Sequence, residues 1–234
     1  MKTLSRAAFI GSVALLAACS YKYPAPGGIA SGDPIPWNVL FNGKNLDGWK
    51  PFLPDAKADP AGTWTVQDGI LRCTGKPVGY LATTGEYKDY ELEVEWRFDP
   101  SKGPGNSGVL LRVQNKDEVW PKSIEAQLNS GDAGDIWNIG NFAMKVDPKR
   151  TEGRRTVKMG KCSEGPLGFW NRYRIIVDGG RIELYVNGEH QNSATDAEHV
   201  AGRIALQSEG ANIEFRMVRV RPLTGDGTGR GYER

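Results

Sequence analysis

Glu125 and Gln127 stand two residues apart in Ser123-Ile124-Glu125-Ala126-Gln127-Leu128, a run whose other parity is apolar. Strand side chains alternate with period two. Ile124, Ala126 and Leu128 therefore face one way, and Glu125, Gln127 and Asn129 the other. Two upstream runs read alike. Tyr90, Leu92, Val94, Trp96 and Phe98 alternate with Glu91, Glu93, Glu95 and Arg97, and Val109, Leu111 and Val113 alternate with Leu110, Arg112 and Gln114. Laid in one sheet, these strands present a core face and a face dense in carboxylates, guanidinium groups and amides. Such groups move protons and read hydroxyls, so this second face is the candidate functional surface.

The elements that must position it are short strands. Trp37 to Phe41 is one; Trp64 to Val66 and Ile70 to Cys73 form a hairpin about Asp68-Gly69, a strong turn signal. Pro51 to Gly62 reads as loop. Tyr80 to Thr83, Tyr90 to Phe98, Ser107 to Gln114 and Ser123 to Asn129 follow. Residues 130–168 are Gly-rich and irregular, with short strands expected at Ile136 to Ile139, Phe142 to Val146 and Thr156 to Met159. Lys145, Lys149, Arg150, Arg154, Arg155, Lys158 and Lys161 make this stretch basic, which reads as a solvated edge and its turns. Tyr173 to Val177, Arg181 to Val186 and Glu189 to Ser193 form a meander through Gly179-Gly180 and Asn187-Gly188, and Arg203 to Gln207 pairs with Ile213 to Val220. No stretch keeps a helical period over three turns. Many short antiparallel strands between turn signals specify an all-β fold, a two-sheet β-sandwich or jelly roll.

The N-terminus carries an address. Lys2 and Arg6 precede an apolar run from Ala7 to Ala18, too short to span a membrane. Leu16-Ala17-Ala18-Cys19 resembles a bacterial lipobox, which implies cleavage after residue 18 and lipidation of Cys19. Ser20 after the cysteine implies a lipid-anchored protein of a Gram-negative cell envelope, sorted to the outer membrane. Residues 19–36, rich in Pro and Gly, read as a tether to a domain over 37–223, and residues 224–234 as a disordered tail. Of 30 basic residues two are Lys2 and Arg6, so the remaining 28 balance 28 acidic ones. Without a basic excess a nucleic-acid partner is excluded as an expectation. Seven Trp, eight Tyr and seven Phe are expected mostly in the core, with some free to offer aromatic faces to a carbohydrate partner. Cys73 and Cys162 are read either as a disulfide or as two free thiols.

Phe41-Asn42-Gly43-Lys44-Asn45-Leu46-Asp47-Gly48-Trp49 opens the domain. Tyr90 to Arg97, Asn106-Ser107-Gly108-Val109 with Arg112, Ile124-Glu125-Ala126-Gln127, Trp170-Asn171, Val186-Asn187-Gly188, Ile204 to Gly210 and Ile213 to Arg216 follow in order. Together they resemble the 3-keto-disaccharide hydrolase family, formerly domain of unknown function 1080. The resemblance covers residues 37–223 and implies a concanavalin A-like sandwich with a concave sugar-facing sheet. Many members carry His where this chain has Glu209, so no histidine role is carried over.

The resemblance further implies cleavage of sugars whose C3 hydroxyl has become a ketone. Such a ketone acidifies C2–H, so a base removes that proton, the C1 substituent leaves, and water adds. On this reading Glu125 and Glu95 are the catalytic carboxylates. Arg112 steadies the enolate or Glu125 itself, and Gln127, Arg97, Trp170, Asn171, Gln207 and Glu209 hold the substrate. No cofactor is required, although a divalent metal ion on Glu95, Glu125 and Glu209 could replace Arg112 as electrophile. Two rivals remain. Glu91, Glu93 and Glu95 mimic the Glu-x-Asp-x-Glu strand of retaining glucanases, although Cα atoms four apart on a strand lie roughly 13 Å from each other while retaining carboxyls need about 5–5.5 Å. A non-catalytic carbohydrate-binding lipoprotein is the other.

Overall fold

The structure, a computed structural model, describes residues 35–114 and 116–223. The secretory segment, Cys19, all but the end of the tether and the tail at 224–234 lie outside the described residues. Among the described residues, sixteen strands make two antiparallel sheets. The first has the order β14 (Glu189–Ala194), β13 (Arg181–Val186), β12 (Asn171–Asp178), β6 (Tyr90–Phe98), β16 (Ile213–Pro222), β4 (Ile70–Cys73), β3 (Trp64–Gln67), with β1 (Asn38–Val39) also on β16. The second has the order β10 (Thr151–Glu152), β11 (Arg155–Thr156), β9 (Ile136–Ile139), β8 (Ser123–Gln127), β7 (Gly108–Val113), β15 (Arg203–Ser208), β5 (Gly79–Thr83), β2 (Trp49–Phe52). The chain is thus the expected all-β two-sheet sandwich. Pro51 and Phe52, read as the start of a loop, instead complete the edge strand Trp49–Phe52 against β5, and Phe142 to Val146 forms only an isolated bridge from Lys145 to Thr195.

Alternation builds the core. Leu92, Val94 and Trp96 of β6 and Tyr173, Ile175 and Val177 of β12 pack with Val109, Leu111, Ile124, Ala126 and Leu206 from the second sheet. Cys73 is buried in this core and Cys162 is exposed; both are free thiols, so no disulfide joins them.

The one-sheet premise of the sequence reading fails here: β6 belongs to the first sheet and β7 and β8 to the second. The polar parity of β6 therefore faces away from Glu125. Glu93 bonds Arg172 (3.1 Å) and Arg219 (2.6 Å), Glu95 bonds Arg216 (2.6 Å), and Glu91 bonds Arg174 and Arg221. Arg97 and Arg72 share Glu214 at 2.6 and 2.9 Å. Trp170 lies between two of these guanidinium groups, 4.5 Å from that of Arg97 and 4.7 Å from that of Arg216. This outer face is a cross-strand lattice of carboxylates and guanidinium groups, a stabilising pattern for paired strands.

On the outer face of the second sheet, Tyr80, Ala82, Leu110, Val113, Ile139 and Ala205 form a separate buried cluster. The β7–β8 connection is fastened across it at Asp117, which accepts from Tyr80 Oη (2.8 Å) and from Arg203 (2.7 Å). The same connection brings Trp120 to a cavity beside β8 and β9.

Candidate active site

Glu125 lies at the middle of β8, flanked by β7 and β9. Its side chain points to the outer face of the second sheet, because Ile124 and Ala126 take the core side. The room beside it comes from Gly108. A Cβ there would stand 2.4 Å from both Glu125 Oε1 and Gln207 Oε1, so any larger residue would push the two side chains away. Gly108 pairs across with Gln127, and Gln207 follows Leu206 on β15, the partner of Val109. Three neighbouring strands thus set Glu125, Gln127 and Gln207 round one small gap.

A cavity of about 210 Å³ opens above them, lined by Glu125, Gln127, Asn106, Glu209, Arg154, Ile139 and two tryptophans, Trp120 and Trp137. Four connections wall it. The β6–β7 loop brings Asn106, the β7–β8 connection Trp120, the β10–β11 turn Arg154, and the chain just past β15 Glu209. Glu125 is 5 % exposed, and its Oε1 has no hydrogen-bond partner among the described residues. Both amide atoms of Gln207, Asn106 Oδ1 and Trp137 Nε1 are also buried without one. Gln127 is fixed differently: its Oε1 accepts from the backbone N–H of Leu128 (2.8 Å) and Asn129 (2.9 Å). Buried polar atoms normally find partners. A concentration of unpartnered donors and acceptors round an aromatic-walled cavity suits a ligand rich in hydroxyl and carbonyl groups.

Burial pushes the Glu125 carboxyl up to about 8, and the negative charge of Glu209 adds to the rise. Gln207 and Arg154 pull the other way. Gln207 lies near enough to favour the ionised form slightly, although neither of its amide atoms reaches hydrogen-bond geometry with the carboxylate. Burial also raises Glu209. The site therefore holds two carboxyls whose ionisation burial opposes, and the charge of Glu209 further opposes that of Glu125.

Of the residues singled out from sequence, Glu125, Gln127, Gln207 and Glu209 come together; the others do not. Glu95, Arg97 and Trp170 stand in the lattice on the first sheet. Asn171 is a scaffold at the start of β12, where its Oδ1 accepts from Gly165 N–H (2.8 Å) and Asn187 Nδ2 (2.9 Å). Arg112 departs for a local reason. It adopts φ 52° at a bulge where β15 shifts register between Arg203 and Ala205. The bulge turns its side chain off the Glu125 face. Fully buried, Arg112 donates to the backbone carbonyls of Glu198 and Gly179, both at 2.6 Å, and of Lys88 at 3.3 Å. It clasps three connections and does not touch Glu125. A three-carboxylate metal site is likewise not assembled, since Glu95 is on the other sheet; among the described residues no three His, Cys, Asp or Glu side chains converge for a metal.

Sequence reasoning missed Trp120, Trp137 and Arg154 as cavity residues and did not single out Asn106 as a substrate-holding one. Trp137 carried a signal, since it shares strand parity with Ile139; Arg154 was hidden among six other basic residues. A larger cavity of about 310 Å³ lies near Phe98, Cys162 and Phe169, but its carboxylate is engaged: Glu164 Oε2 accepts from Gly131 N–H (2.8 Å) and Ala133 N–H (3.2 Å).

The family model for the 3-keto-alpha-glucoside-1,2-lyase-like domain matches residues 36–221. A 3-keto-disaccharide hydrolase of Bacteroides thetaiotaomicron is 22% identical over 79% of this chain and 78% of its own length. Among solved structures, a Parabacteroides distasonis protein assigned to the glycosyl hydrolases superposes with a TM-score of 0.59 at 22% identity, over 80% of this chain and 94% of that one. The Bacillus licheniformis β-glucanase superposes at 0.55 and 13% identity, over 80% and 97%. At these identities the two structures speak for the fold, a concanavalin A-like jelly roll.

Proposed function

The chain belongs to the 3-keto-alpha-glucoside-1,2-lyase-like family, a carbohydrate-active group, and from that premise we propose that the Glu125 cavity cleaves glycosides whose sugar carries a C3 ketone. The observation that carries the proposal is the Glu125 carboxyl, buried, unpartnered and held in a walled polar cavity. A base over C2 needs that placement. Burial raises its basicity, and the adjacent C3 ketone makes C2–H acidic enough for a carboxylate to remove.

Each step uses residues of the cavity. Ionised Glu125 takes the C2 proton, and the C–H electron pair forms C2=C3 as the ketone oxygen becomes an enolate. The enolate re-forms the ketone, C1=C2 forms, and the C1–O bond breaks. Protonated Glu209 gives its proton to the departing oxygen. Water then adds across C1=C2, with its oxygen at C1 and a proton returned to C2. Trp120 and Trp137 offer aromatic faces to sugar C–H patches, and Gln127 and Gln207 offer amides to hydroxyls.

The glucanase reading loses its residues, because Glu91, Glu93 and Glu95 are each paired with arginines on the far sheet. The test is turnover of a 3-keto-glucoside beside its unoxidised parent. Turnover of the keto sugar alone is expected, reduced about 10²–10⁴-fold in Glu125→Gln. Cleavage of the parent, or binding of both without turnover, would reject the proposal. The cell-envelope location and lipid anchor belong to the same proposal and rest on the Leu16-to-Cys19 motif. Incorporation of a labelled fatty acid that survives Cys19→Ala would reject them.

A further inference from the structure

Arg154 is the exception among the described arginines. Each of the others has a carboxylate or carbonyl oxygen within bonding distance: Arg112 on three carbonyls, Arg155 on Asp135 (2.6 Å), Arg203 on Asp117 (2.7 Å), and the rest on glutamates of the first sheet or on Asp147. The Arg154 guanidinium has no hydrogen bond or ion pair with a described residue. It lies over the Trp137 ring, 5.8 Å from the ring centre, and lines the Glu125 cavity.

Its backbone, by contrast, is held. Arg154 follows Gly153, which takes φ 57° in the β10–β11 turn. The Arg154 carbonyl accepts from Asn138 N–H (2.9 Å). Arg155, the next residue, is locked to Asp135 and Asp132 and pairs across with Trp137. The chain thus fixes the root of this side chain beside the cavity and leaves its charged head to a ligand.

We propose that Arg154 is the electrophile of the reaction, binding the C3 oxygen as it turns from ketone to enolate. The inference rests on the keto-sugar reading above. Removing the C2 proton places a full negative charge on the oxygen one carbon away, so the countercharge must share the cavity with the base. Arg154 is the only cation lining it among the described residues. A guanidinium is permanently charged and presents several N–H donors in one plane. It gains most where charge appears during the reaction. This is one of the two tasks that the family resemblance implied for Arg112.

The test separates enolate formation from cleavage. A 3-keto sugar with hydrogen in place of the C1 substituent can form the enolate but cannot eliminate. In D2O its C2 takes up deuterium above the enzyme-free rate whenever the enzyme makes the enolate, and NMR reads that uptake. Wild-type protein is expected to catalyse this exchange and to cleave the matching 3-keto-glucoside. Arg154→Met should lose about 10²–10³-fold in both rates with KM within a few-fold. Arg154→Lys should recover part of each. An exposed, unpaired side chain can be changed with little effect on melting temperature, and should Arg154→Met fail to fold, the Lys variant carries the same comparison. Wild-type exchange in Arg154→Met, or a loss confined to KM, overturns the role of Arg154. Wild-type protein that neither exchanges nor cleaves overturns the keto-sugar reading beneath it.

Discussion

Glu125 shows how burial turns an ordinary side chain into a reagent. Its carboxyl rises from 4.5 to about 8, first through desolvation and then through the charge of Glu209. The folded state therefore holds this proton over a range where the unfolded chain has released it. Between pH 4.5 and 8 the native state binds more protons at this group, so its contribution to stability falls as pH rises through that window. Glu125→Gln removes the titration. Chemical denaturation at a series of pH values should show the variant gaining on wild type from about pH 5 to about pH 8; parallel curves would contradict a buried, proton-holding Glu125. Because the reaction needs Glu125 ionised and Glu209 protonated, wild-type kcat/KM should pass through a maximum, rising as the base ionises and falling as the acid ionises. Glu125 and Gln127 were legible because their parity in an apolar strand is unambiguous. The shift of the Glu125 pKa was not, since it depends on walls brought from four distant connections.

Two strand features decide what reaches the cavity. The first is the gap at Gly108. Gly108→Ala puts a methyl 2.4 Å from the carboxylate and amide oxygens it separates, and neither can retreat far in a buried setting. The expected cost is about 1–3 kcal/mol of stability and roughly 10²-fold in keto-sugar turnover, as for a reacting group displaced by about 1 Å. A variant as active as wild type would mean that Glu125 and Gln207 need not be held where they are. The second is the bulge at Arg112. Alternation along Val109 to Gln114 implies a continuous strand and places Arg112 beside Glu125. A left-handed residue in mid-strand breaks the count, and arginine gives no sign of it, since glycine is the usual choice there. Gly202 opposite is the trace left in the sequence: a Cβ at that position would lie 2.5 Å from the Arg112 carbonyl carbon.

At the scale of the whole molecule, the sandwich divides its charges between two outer faces. One sheet carries glutamates and arginines in mutual neutralisation; the other carries carboxyls beneath a walled cavity. Parity identifies both faces as polar. It does not say which strands are neighbours, because sheet order is set by long-range pairing: β6 lies between β12 and β16, far from its successor β7 in the chain. Glu95 and Arg97 were misplaced for that reason, whereas the sandwich itself followed from turn spacing and alternation alone. Glu95→Gln should therefore lower the melting temperature by weakening the bonds to Arg216 and Arg172. Turnover per folded molecule should stay at the wild-type level, and a selective loss of kcat would place Glu95 in the reaction after all.

The central claim is that a carboxylate of the second sheet removes a proton from C2 of a keto sugar before the glycosidic bond is rebuilt with water. Cleavage of a 3-keto-glucoside in D2O tests it directly. Elimination followed by hydration delivers solvent deuterium to C2 of the released 3-keto sugar, above the enzyme-free background, once the Glu125 carboxyl exchanges its proton with D2O before water adds. Mass spectrometry and NMR of the product, quenched early, should find it there. Product that keeps its original C2 hydrogen, with no slowing when C2 of the substrate carries deuterium, would contradict the account, because direct displacement at C1 never touches that bond.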